Sequence, residues 1–326
     1  METVTISAMP NQNIFISLAS YLDPMLFFTL NEAVAKAARP ERLRIAVVDQ
    51  HYASQRAAIA ALPFAGLIRY VHVQVQDTLG VSWARNQAFS LYDGEQYLLQ
   101  IDSHTCFEPG WDESLRRQHA QLRELSAKPV LSTYPYRFDM VDGQPQYAAP
   151  EGKTVLVLRP HPDTPLAPGG DVVLRFIAKH LFTDRPVPAC HIAGGFVFCE
   201  GSFIDEVPYD PFLYFHGEEQ SLAVRAWTRG WDIYHPLHVP LYHLYKAPNT
   251  PHESHHWHGE VDRLRAFSGA YLTARAAERL KRLLCGDGLP GAYGLGSVRT
   301  MEQYSAFSGI DYRAGAVRDT FNGQLC

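Results

Sequence analysis

The first third of the chain alternates apolar runs with segments in which apolar residues recur at helical spacing. The apolar runs predict strands at Asn13 to Ser20, Leu43 to Asp49, Ile68 to Val75 and Gln96 to Ile101. The segments between them predict helices at Pro24 to Ala37, Ala53 to Ala61 and Val81 to Tyr92. Strands that alternate with helices in this way are typical of a parallel α/β sheet.

The remaining two thirds of the chain are less uniform. A helix is predicted to begin near Trp111, and the Pro- and Gly-rich stretch from Thr133 to Pro188 predicts strands and long loops. Regular elements then return as strands at Ile192 to Cys199 and Val239 to Leu244, and as helices at Glu218 to Arg229 and Ala270 to Leu284. We therefore expect an α/β main domain with a small C-terminal appendage of helices and loops.

Composition and charge exclude several classes of function. The 326 residues are 46% hydrophobic, which is enough for a full core, and the formal charge of −5 argues against a nucleic-acid binder. No apolar run approaches the roughly 20 residues of a membrane-spanning helix. The first residues resemble no secretion signal and the five cysteines form no CxxC pair, so we expect a cytoplasmic protein with reduced thiols.

Polar residues follow the fourth predicted strand and are candidates for a metal site. Asp102 and His104 flank Ser103, so a carboxylate and an imidazole can point at one place beyond the end of the strand. This pair suits a divalent ion such as Mn²⁺, and zinc is also compatible with it. The alternative is a strand-end carboxylate that caps a turn beside a surface histidine.

Glu218, Glu219 and His243 lie on later elements that are able to reach the same edge of the sheet. The two glutamates open a predicted helix, and His243 lies in a predicted strand. Acidic residues in the first turn of a helix are also ordinary partners of the helix dipole. A single histidine in an apolar strand is also compatible with a hydrogen-bonded core residue. Both alternatives remain open at this point.

An ordered set of motifs indicates a family. The stretch from His191 to Tyr245 resembles the catalytic half of retaining polypeptide N-acetylgalactosaminyltransferases. The whole chain more closely resembles the cytosolic N-acetylglucosaminyltransferases that modify protein hydroxyproline. The motifs that carry the resemblance are Ile16 to Asp23, Trp83-Ala84-Arg85, Asp102-Ser103-His104, Ala193 to Phe196, Phe215 to Glu219, His243 and Tyr293 to Thr300.

The resemblance implies a GT-A type nucleotide-sugar-binding fold with a mixed central sheet. Residues 1–250 would form the catalytic domain, with a nucleotide-binding half at 1–110 and an acceptor and catalytic half at 111–250. Residues 251–326 would supply an active-site loop and the appendage. The resemblance also implies Mn²⁺ or Mg²⁺, held by Asp102, His104 and His243, with uridine diphosphate completing the ligands.

The donor site also follows from the resemblance alone. Its expected residues are Ser17, Ala19 and Asp49 around the uridine, Arg85 near the diphosphate, Ser103 in the metal motif, and Gly194 and Gly195 beside the sugar. Apart from the resemblance, Lys246 lies just beyond His243 and is expected to reach the diphosphate when the histidine-rich loop at 252–258 closes. Other interpretations are a solvated helix face for the arginine, a β-bulge for the glycine pair and a solvated side chain for the lysine. The donor is expected to be a UDP-sugar.

The resemblance assigns the chemistry of transfer to acidic residues. Glu218 would contact the transferred sugar, Glu219 would orient the acceptor or support Glu218, and Asp102 would act through the cation. The expected reaction retains the anomeric configuration, and its acceptor is a hydroxyl of a protein or a saccharide. Trp83 and His216 depart from the galactosamine-transferring enzymes, which have arginine and glycine there, and they favour a glucosamine-type donor.

Two other functions are compatible with the sequence. One is a nucleotide-sugar or glycan-binding module that has lost catalysis, and the other is a zinc hydrolase that uses Asp102 and His104 with the histidine-rich segment 252–258. We interpret that segment instead as a loop that closes over the donor, because excluding water protects an activated sugar from hydrolysis.

Overall fold

The computed structural model describes residues 12–148, 154–164, 166–245, 255–257 and 259–320. Its main sheet contains the four strands expected in the first third of the chain, with ends within two residues of the predicted ones. Along the described chain the strands are β1 (Ile14–Tyr21), β2 (Leu43–His51), β3 (Ile68–Gln74), β4 (Tyr97–Asp102), β5 (Thr105–Phe107), β6 (Pro129–Ser132), β7 (Tyr136–Val141), β8 (Gln144–Tyr147), β9 (Thr154–Pro160), β10 (Phe176–Phe182), β11 (Val187–Ala189), β12 (Phe196–Glu200), β13 (Asp232–His235), β14 (Leu241–His243), β15 (Ile310–Asp311) and β16 (Ala316–Val317).

The main sheet is mixed, as expected. Its strand order is β11-β13-β6-β12-β4-β1-β2-β3. β4, β1, β2 and β3 pair in parallel, whereas β12 runs antiparallel to both β4 and β6. The direction therefore reverses between β4 and β12, next to the strand end that carries Asp102. Ligands of open α/β sheets bind outside the carboxyl ends of parallel strands, so the topology places a crevice at this residue.

Helices cover both faces of the sheet. They are α1 (Leu26–Ala35), α2 (Arg56–Ala60), α3 (Val81–Phe89), α4 (Trp111–Arg123), α5 (Phe203–Glu206), α6 (Glu218–Thr228), α7 (Gly259–Leu264), α8 (Gly269–Cys285) and α9 (Met301–Ser308). Successive side chains of a strand point to opposite faces. Ile14 and Ile16 of β1 accordingly pack in the core beneath α1 and α4, while Phe15 packs with α3 and α6.

The stretch from Thr133 to Pro188 contains strands and loops, as the sequence predicted, and part of it joins a second sheet in the order β5-β14-β7-β8. β14 is shorter than the predicted strand, which was Val239 to Leu244, because Pro240 has no N–H to donate to a partner strand. The short strand is nevertheless well placed. It pairs His243 with Thr105, one residue after the Asp102-Ser103-His104 motif.

The C-terminal helices pack against α6. Ser268 caps α8, and Thr300 forms a reciprocal capping box with Gln303 at the start of α9. Leucines of α8 and Tyr304 of α9 share a hydrophobic cluster with Val224 and Trp227 of α6. Within the described ranges, none of the helices combines the length and apolar content that crossing a bilayer requires.

Candidate active site

The sheet and two local contacts position the Asp102-Ser103-His104 motif. Ala19 of β1 pairs with Asp102 of β4, so both lie at the same edge of the sheet. The hydroxyl of Thr29 on α1 donates to the Ser103 carbonyl at 2.9 Å and accepts from the Thr105 N–H at 2.9 Å. The turn that carries the motif is therefore tied to α1 as well as to the sheet.

The three predicted metal ligands lie close together. One ligand atom from each of Asp102, His104 and His243 lies within 4.8 Å of the others. The Asp102 Oδ2 is 3.1 Å from the His243 Nε2, and the two imidazole ring centres are 4.5 Å apart. These residues are 141 positions apart at most, and antiparallel pairing of β14 with β5 brings them together. The three side chains thus meet at one place, and their role as metal ligands remains a prediction.

Asp23 is a member of this cluster that sequence reasoning did not single out. Its Oδ2 accepts a hydrogen bond from the Ser103 hydroxyl at 2.7 Å and lies 2.6 Å from the Nδ1 of His104. Its Oδ1 accepts from the Met25 N–H at 2.9 Å. The signal available in the sequence was an aspartate placed between the end of the first strand and Pro24.

Arg85 holds two of the predicted acidic residues together. Its guanidinium donates to Glu218 Oε1 at 2.6 Å and to Asp102 Oδ1 at 2.8 Å. The side chain is 4% exposed, and its charged end lies 5.5 Å from the ring centre of Tyr209. The interpretation as a solvated helix face is therefore wrong. A planar fork that reaches two carboxylates at once is a geometry that arginine favours.

Glu218 and Glu219 begin α6, directly after Gly217, which has a φ of +87°. Glu218 is 4% exposed, and its Oε2 has no hydrogen-bond partner in the structure. Glu219 Oε1 accepts from the Gly194 N–H at 2.6 Å, and Oε2 lies 3.5 Å from the Nε2 of His191. The two neighbouring glutamates therefore have different environments, and only Glu218 keeps a buried oxygen free for a ligand.

Gly194 and Gly195 make room for side chains of the site itself. A Cβ atom added at Gly194 would lie 2.2 Å from the Arg85 guanidinium, and one at Gly195 would lie 2.9 Å from Asp102 Oδ2. No Cβ contact is that short in a real protein, so both positions require glycine while these side chains stay in place. The proximity of the glycines to a donor sugar remains a prediction.

Burial and neighbouring charges divide the acidic residues into two groups. Burial alone would raise the pKa of Asp102, but the His243 hydrogen bond and the Arg85 charge outweigh it and hold the pKa well below its usual range. Burial raises the pKa of Glu218 to about 8, although Arg85 opposes the increase. Burial also lowers the pKa of His243, which favours the neutral imidazole that metals bind.

These residues line a cavity of about 470 Å³. Around it are Ala19, Tyr21, Gln50, Arg85, Asp102, Ser103, His104, Tyr134, His191, Gly195, His216, Glu218, Glu219, His243, His255, His256 and Trp257. The size suits a drug-sized or nucleotide-like ligand. Of the predicted closing segment, residues 255–257 do line the cavity, while Lys246 lies outside the described residues.

Ser17 and Asp49 are not on the surface of this cavity. Both side chains are fully buried, and Asp49 Oδ2 accepts hydrogen bonds from Tyr70 at 2.6 Å and from Gln55 at 3.1 Å. Ala19, Tyr21 and Gln50 line the cavity at the ends of the same two strands. The assignment of Ser17 and Asp49 to a uridine site therefore remains a prediction.

The two departures from the galactosamine-transferring enzymes have different positions. His216 lines the cavity, whereas Trp83 packs against the core from α3. Sequence reasoning also missed Tyr134 and His191, which face Glu219 from the irregular stretch and from the start of the β12 region. No local pattern marks either residue, since each reaches the site only through tertiary packing.

Comparison with solved structures shows a fold of the GT-A glycosyltransferase type. The crystal structure of GalNAc-T7 with UDP, GalNAc and Mn²⁺ matches with a TM-score of 0.58 and 15% identity over 83% of this chain. The chain spans about half of that protein, 48% of its length. The crystal structure of residues 1–349 of Staphylococcus aureus TarS with UDP-GlcNAc gives a TM-score of 0.43 and 14% identity over 83% of this chain and 72% of that one.

The sequence comparisons differ in outcome. No curated protein gives a significant match. The family model described as Glycosyltransferase (GlcNAc) matches residues 13–65 and 62–314. These two ranges include Asp102, His104 and His243, as well as Arg85 and both glutamates of α6. The match extends over most of the chain and confirms the resemblance inferred from the motifs. The chain belongs to the GlcNAc glycosyltransferase family.

Proposed function

We propose that this protein is a metal-dependent, retaining glycosyltransferase that moves N-acetylglucosamine, or a related hexosamine, from a UDP-sugar to a hydroxyl of a protein or saccharide acceptor. The observation that carries the proposal is the convergence of Asp102, His104 and His243 on the wall of a cavity that also contains Arg85 and Glu218. Family membership supports the reaction class, and the GT-A fold supports a nucleotide-sugar donor.

The three residues fit a divalent cation. The donor set consists of one carboxylate that is held in its ionised form and two imidazoles, and burial lowers the pKa of His243 and so favours its neutral form. The Nδ1 of His243 is buried and has no hydrogen-bond partner. A buried polar atom without a partner is unfavourable, so a bound ligand that contacts it would stabilise the site. Imidazole ligands favour Mn²⁺ over Mg²⁺, which prefers oxygen atoms.

When bound, the cation would act as a Lewis acid that stabilises the charge developing on the leaving diphosphate. Asp102, His104 and His243 would hold it, and Arg85 would add a fixed positive charge beside the same diphosphate. Ala19 and Ser103 line the donor cavity near the cation ligands. Ser17 and Asp49 would support the donor site from behind the cavity wall, and the contact of Lys246 with the diphosphate remains a prediction.

Glu218 would act on the sugar. Its free Oε2 would accept hydrogen bonds from sugar hydroxyls, and in its ionised form, paired with Arg85, its carboxylate would favour the positive charge that develops on the anomeric carbon. Glu219, oriented by Gly194, would position the acceptor or Glu218 itself. In a retaining transfer, the acceptor oxygen would bond to the anomeric carbon on the same face from which the phosphate oxygen leaves. The leaving phosphate oxygen would take the proton of the acceptor hydroxyl.

The direct experiment is to incubate the purified protein with Mn²⁺ and a panel of UDP-sugars, and to measure UDP release with and without a chelator. We expect turnover with UDP-GlcNAc or a related hexosamine donor, and loss of turnover when the cation is removed. Asp102→Asn and Glu218→Gln should reduce turnover by at least about 100-fold, because each removes a group that acts in the transition state. Glu113→Gln on α4 is the matched control.

The outcomes separate the alternatives. If no donor is turned over and none binds, the proposal is wrong. Binding of UDP-sugars without turnover by any acceptor in a cell lysate would instead indicate an inactive nucleotide-sugar-binding module. Mass spectrometry of lysate proteins and glycans after incubation with isotopically labelled donor identifies the acceptor, and NMR of the product gives the anomeric configuration.

A further inference from the structure

The buried carboxylate of Asp23 has a completely defined set of hydrogen bonds. The residue is 8% exposed and lies between the end of β1 and the start of α1. Oδ1 accepts the Met25 N–H at 2.9 Å, and Oδ2 accepts the Ser103 hydroxyl at 2.7 Å and faces the His104 Nδ1 at 2.6 Å. Each oxygen therefore has a fixed task, and none of these contacts is needed by Arg85 or Glu218.

These contacts determine where the hydrogen of His104 resides. A carboxylate has only acceptor atoms, so the Nδ1 that faces it must carry the hydrogen. A neutral imidazole has one N–H, and Nε2 then keeps its lone pair for a ligand. His104 is also one of the three residues whose ligand atoms lie within 4.8 Å of one another.

We propose that Asp23 is a positioning residue that fixes the tautomer of His104 and so prepares its Nε2 to bind the cation. The proposal rests on the cation site of the proposed function. Carboxylates that accept the second N–H of a metal-binding histidine typically improve metal affinity by about 10- to 100-fold. Asp23 lines the same cavity, but in this role its carboxylate acts through His104 and not as a ligand of the cation.

The position of the His104 backbone does not depend on Asp23 alone. The Leu244 N–H donates to the His104 carbonyl at 3.0 Å, and Thr29 holds Ser103 and Thr105 on either side. Asp23 therefore determines which ring nitrogen of His104 carries the hydrogen, whereas other contacts hold the backbone in position. This difference makes the role testable with a nearly isosteric variant.

In Asp23→Asn, the Met25 N–H determines the orientation of the new amide. Its oxygen must occupy the Oδ1 position, because the amide NH₂ would otherwise face another donor. The NH₂ group then faces Ser103 and His104. Ser103 turns its hydroxyl to accept, and His104 accepts at Nδ1, which moves its hydrogen to Nε2. Met25, Ser103 and His104 all keep a hydrogen bond to residue 23, but the atom that should bind the cation now carries a hydrogen.

The tautomer is measured first, in metal-free protein labelled with ¹⁵N-histidine, by two-bond ¹H–¹⁵N correlation spectra. The His104 signals are assigned by their absence from a His104→Gln variant. We expect an Nδ1–H tautomer in the wild type and an Nε2–H tautomer in Asp23→Asn. The wild-type spectrum is itself a test, since an Nε2–H tautomer there would overturn the proposal even if the variant failed to fold.

Mn²⁺ affinity is measured next, by EPR titration of free Mn²⁺ without nucleotide. We expect affinity to fall by about 10- to 100-fold in Asp23→Asn. Asp112→Asn is the matched control, since the buried carboxylate of Asp112 accepts the N–H groups of Ala38 and Arg39 far from the site. It should keep the wild-type Mn²⁺ affinity even if it unfolds at a lower temperature.

The results distinguish this proposal from the proposed function. An unchanged tautomer in Asp23→Asn, or an Mn²⁺ affinity within twofold of a wild type that binds the ion, overturns the role of Asp23. A wild type that does not bind Mn²⁺ overturns the cation site of the proposed function. The tautomer spectra do not need the metal and can be interpreted even if the wild type does not bind Mn²⁺. In that outcome, a shift to the Nε2–H tautomer in Asp23→Asn still supports the control of His104 by Asp23. An unchanged tautomer overturns that control.

Discussion

Arg85 is the residue on which the charge balance of the cavity depends. It is the positive group between Asp102 and Glu218, and it is almost fully buried. Removing one partner of a buried ion pair leaves an uncompensated charge in a poorly solvating environment. Replacing Arg85 should therefore destabilise the fold mainly because the carboxylates of Asp102 and Glu218 lose their buried positive partner.

We expect Arg85→Met to lower the free energy of unfolding by about 3–5 kcal/mol, as is usual when a buried ion pair loses one partner. Arg85→Lys should fold better but remain inactive, because an ammonium group lacks the planar fork that reaches both carboxylates. Urea unfolding and UDP release are the measurements. Arg137→Met, which removes an exposed pair with Asp139, should change stability by less than about 1 kcal/mol. Equal losses in both methionine variants would contradict this account.

At the scale of elements, the turn that precedes α6 determines where Glu218 and Glu219 begin. Gly217 has a φ of +87°, and a Cβ there would lie 2.5 Å from Leu280 of α8. The left-handed conformation is unfavourable for residues with a Cβ atom. The turn thus depends on glycine for its backbone and for its contact with the C-terminal helix.

Gly217→Ala should reduce both stability and turnover. Gly94→Ala is the matched control, since Gly94 also has a positive φ, of +80°, but has open space where its Cβ would lie. We expect the control to lose about 1–2 kcal/mol from backbone strain alone and to keep its turnover. Thermal unfolding and UDP release of the two variants make the comparison. A larger effect of Gly94→Ala would show that contact with Leu280 does not matter.

His235 joins the β9–β10 hairpin to the main sheet and makes stability depend on pH. Its Nδ1 donates to the Ser132 carbonyl at 2.7 Å, and its Nε2 accepts the Leu158 N–H at 3.0 Å. A protonated ring would place a second hydrogen against that N–H. Burial lowers the pKa of His235 to about 4, so the neutral form stabilises the fold above the unfolded pKa of about 6.5.

This stabilisation is lost as the pH falls from about 6.5 toward 4, because the unfolded chain binds the proton first. Between pH 7 and pH 5 we expect His235 to account for about 2 kcal/mol of lost stability. In His235→Gln this part of the pH dependence should disappear from urea unfolding curves. His238→Gln is the control of opposite sign, since the Glu108 hydrogen bond raises the pKa of His238 and its contribution is lost as pH rises.

Sequence patterns predicted the strands and helices better than they predicted contacts between residues that are far apart in the chain. The first four strands were predictable because each is a short segment rich in apolar and β-branched residues, and α6 because Gly230 ends it. α9 was missed, although Thr300 and Gln303 form a capping box, because glycines surround it. The ion pair between Arg85 and Glu218 joins residues 133 positions apart, and no local spacing encodes such a contact.

At the scale of the whole molecule, the C-terminal segment forms part of the core. Leu280, Leu283 and Tyr304 are almost fully buried and share a cluster with Val224 and Trp227 of α6. The division at residue 250 remains a prediction about function. Described residues before and after position 250 nevertheless pack against each other in one hydrophobic cluster.

A chain that ends at residue 250 should therefore fail to fold cooperatively, because it exposes the face of α6 that α8 and α9 cover. The expected result is loss of the near-UV circular dichroism signal and of a sharp thermal transition. A chain that ends at residue 320 retains every described element and is the control. A cooperative transition in the shorter chain would show that residues 1–250 form an independent unit.

The contact between Gly194 and Arg85 limits how the enzyme can be re-engineered. A Cβ at position 194 would lie 2.2 Å from the guanidinium, so every larger residue there displaces the arginine. Substitutions at the two positions are consequently not independent, and libraries that vary residue 194 alone will contain inactive variants for reasons unrelated to sugar selectivity. His216 also faces the cavity but does not contact this glycine–arginine pair, so substitutions there leave Arg85 in place.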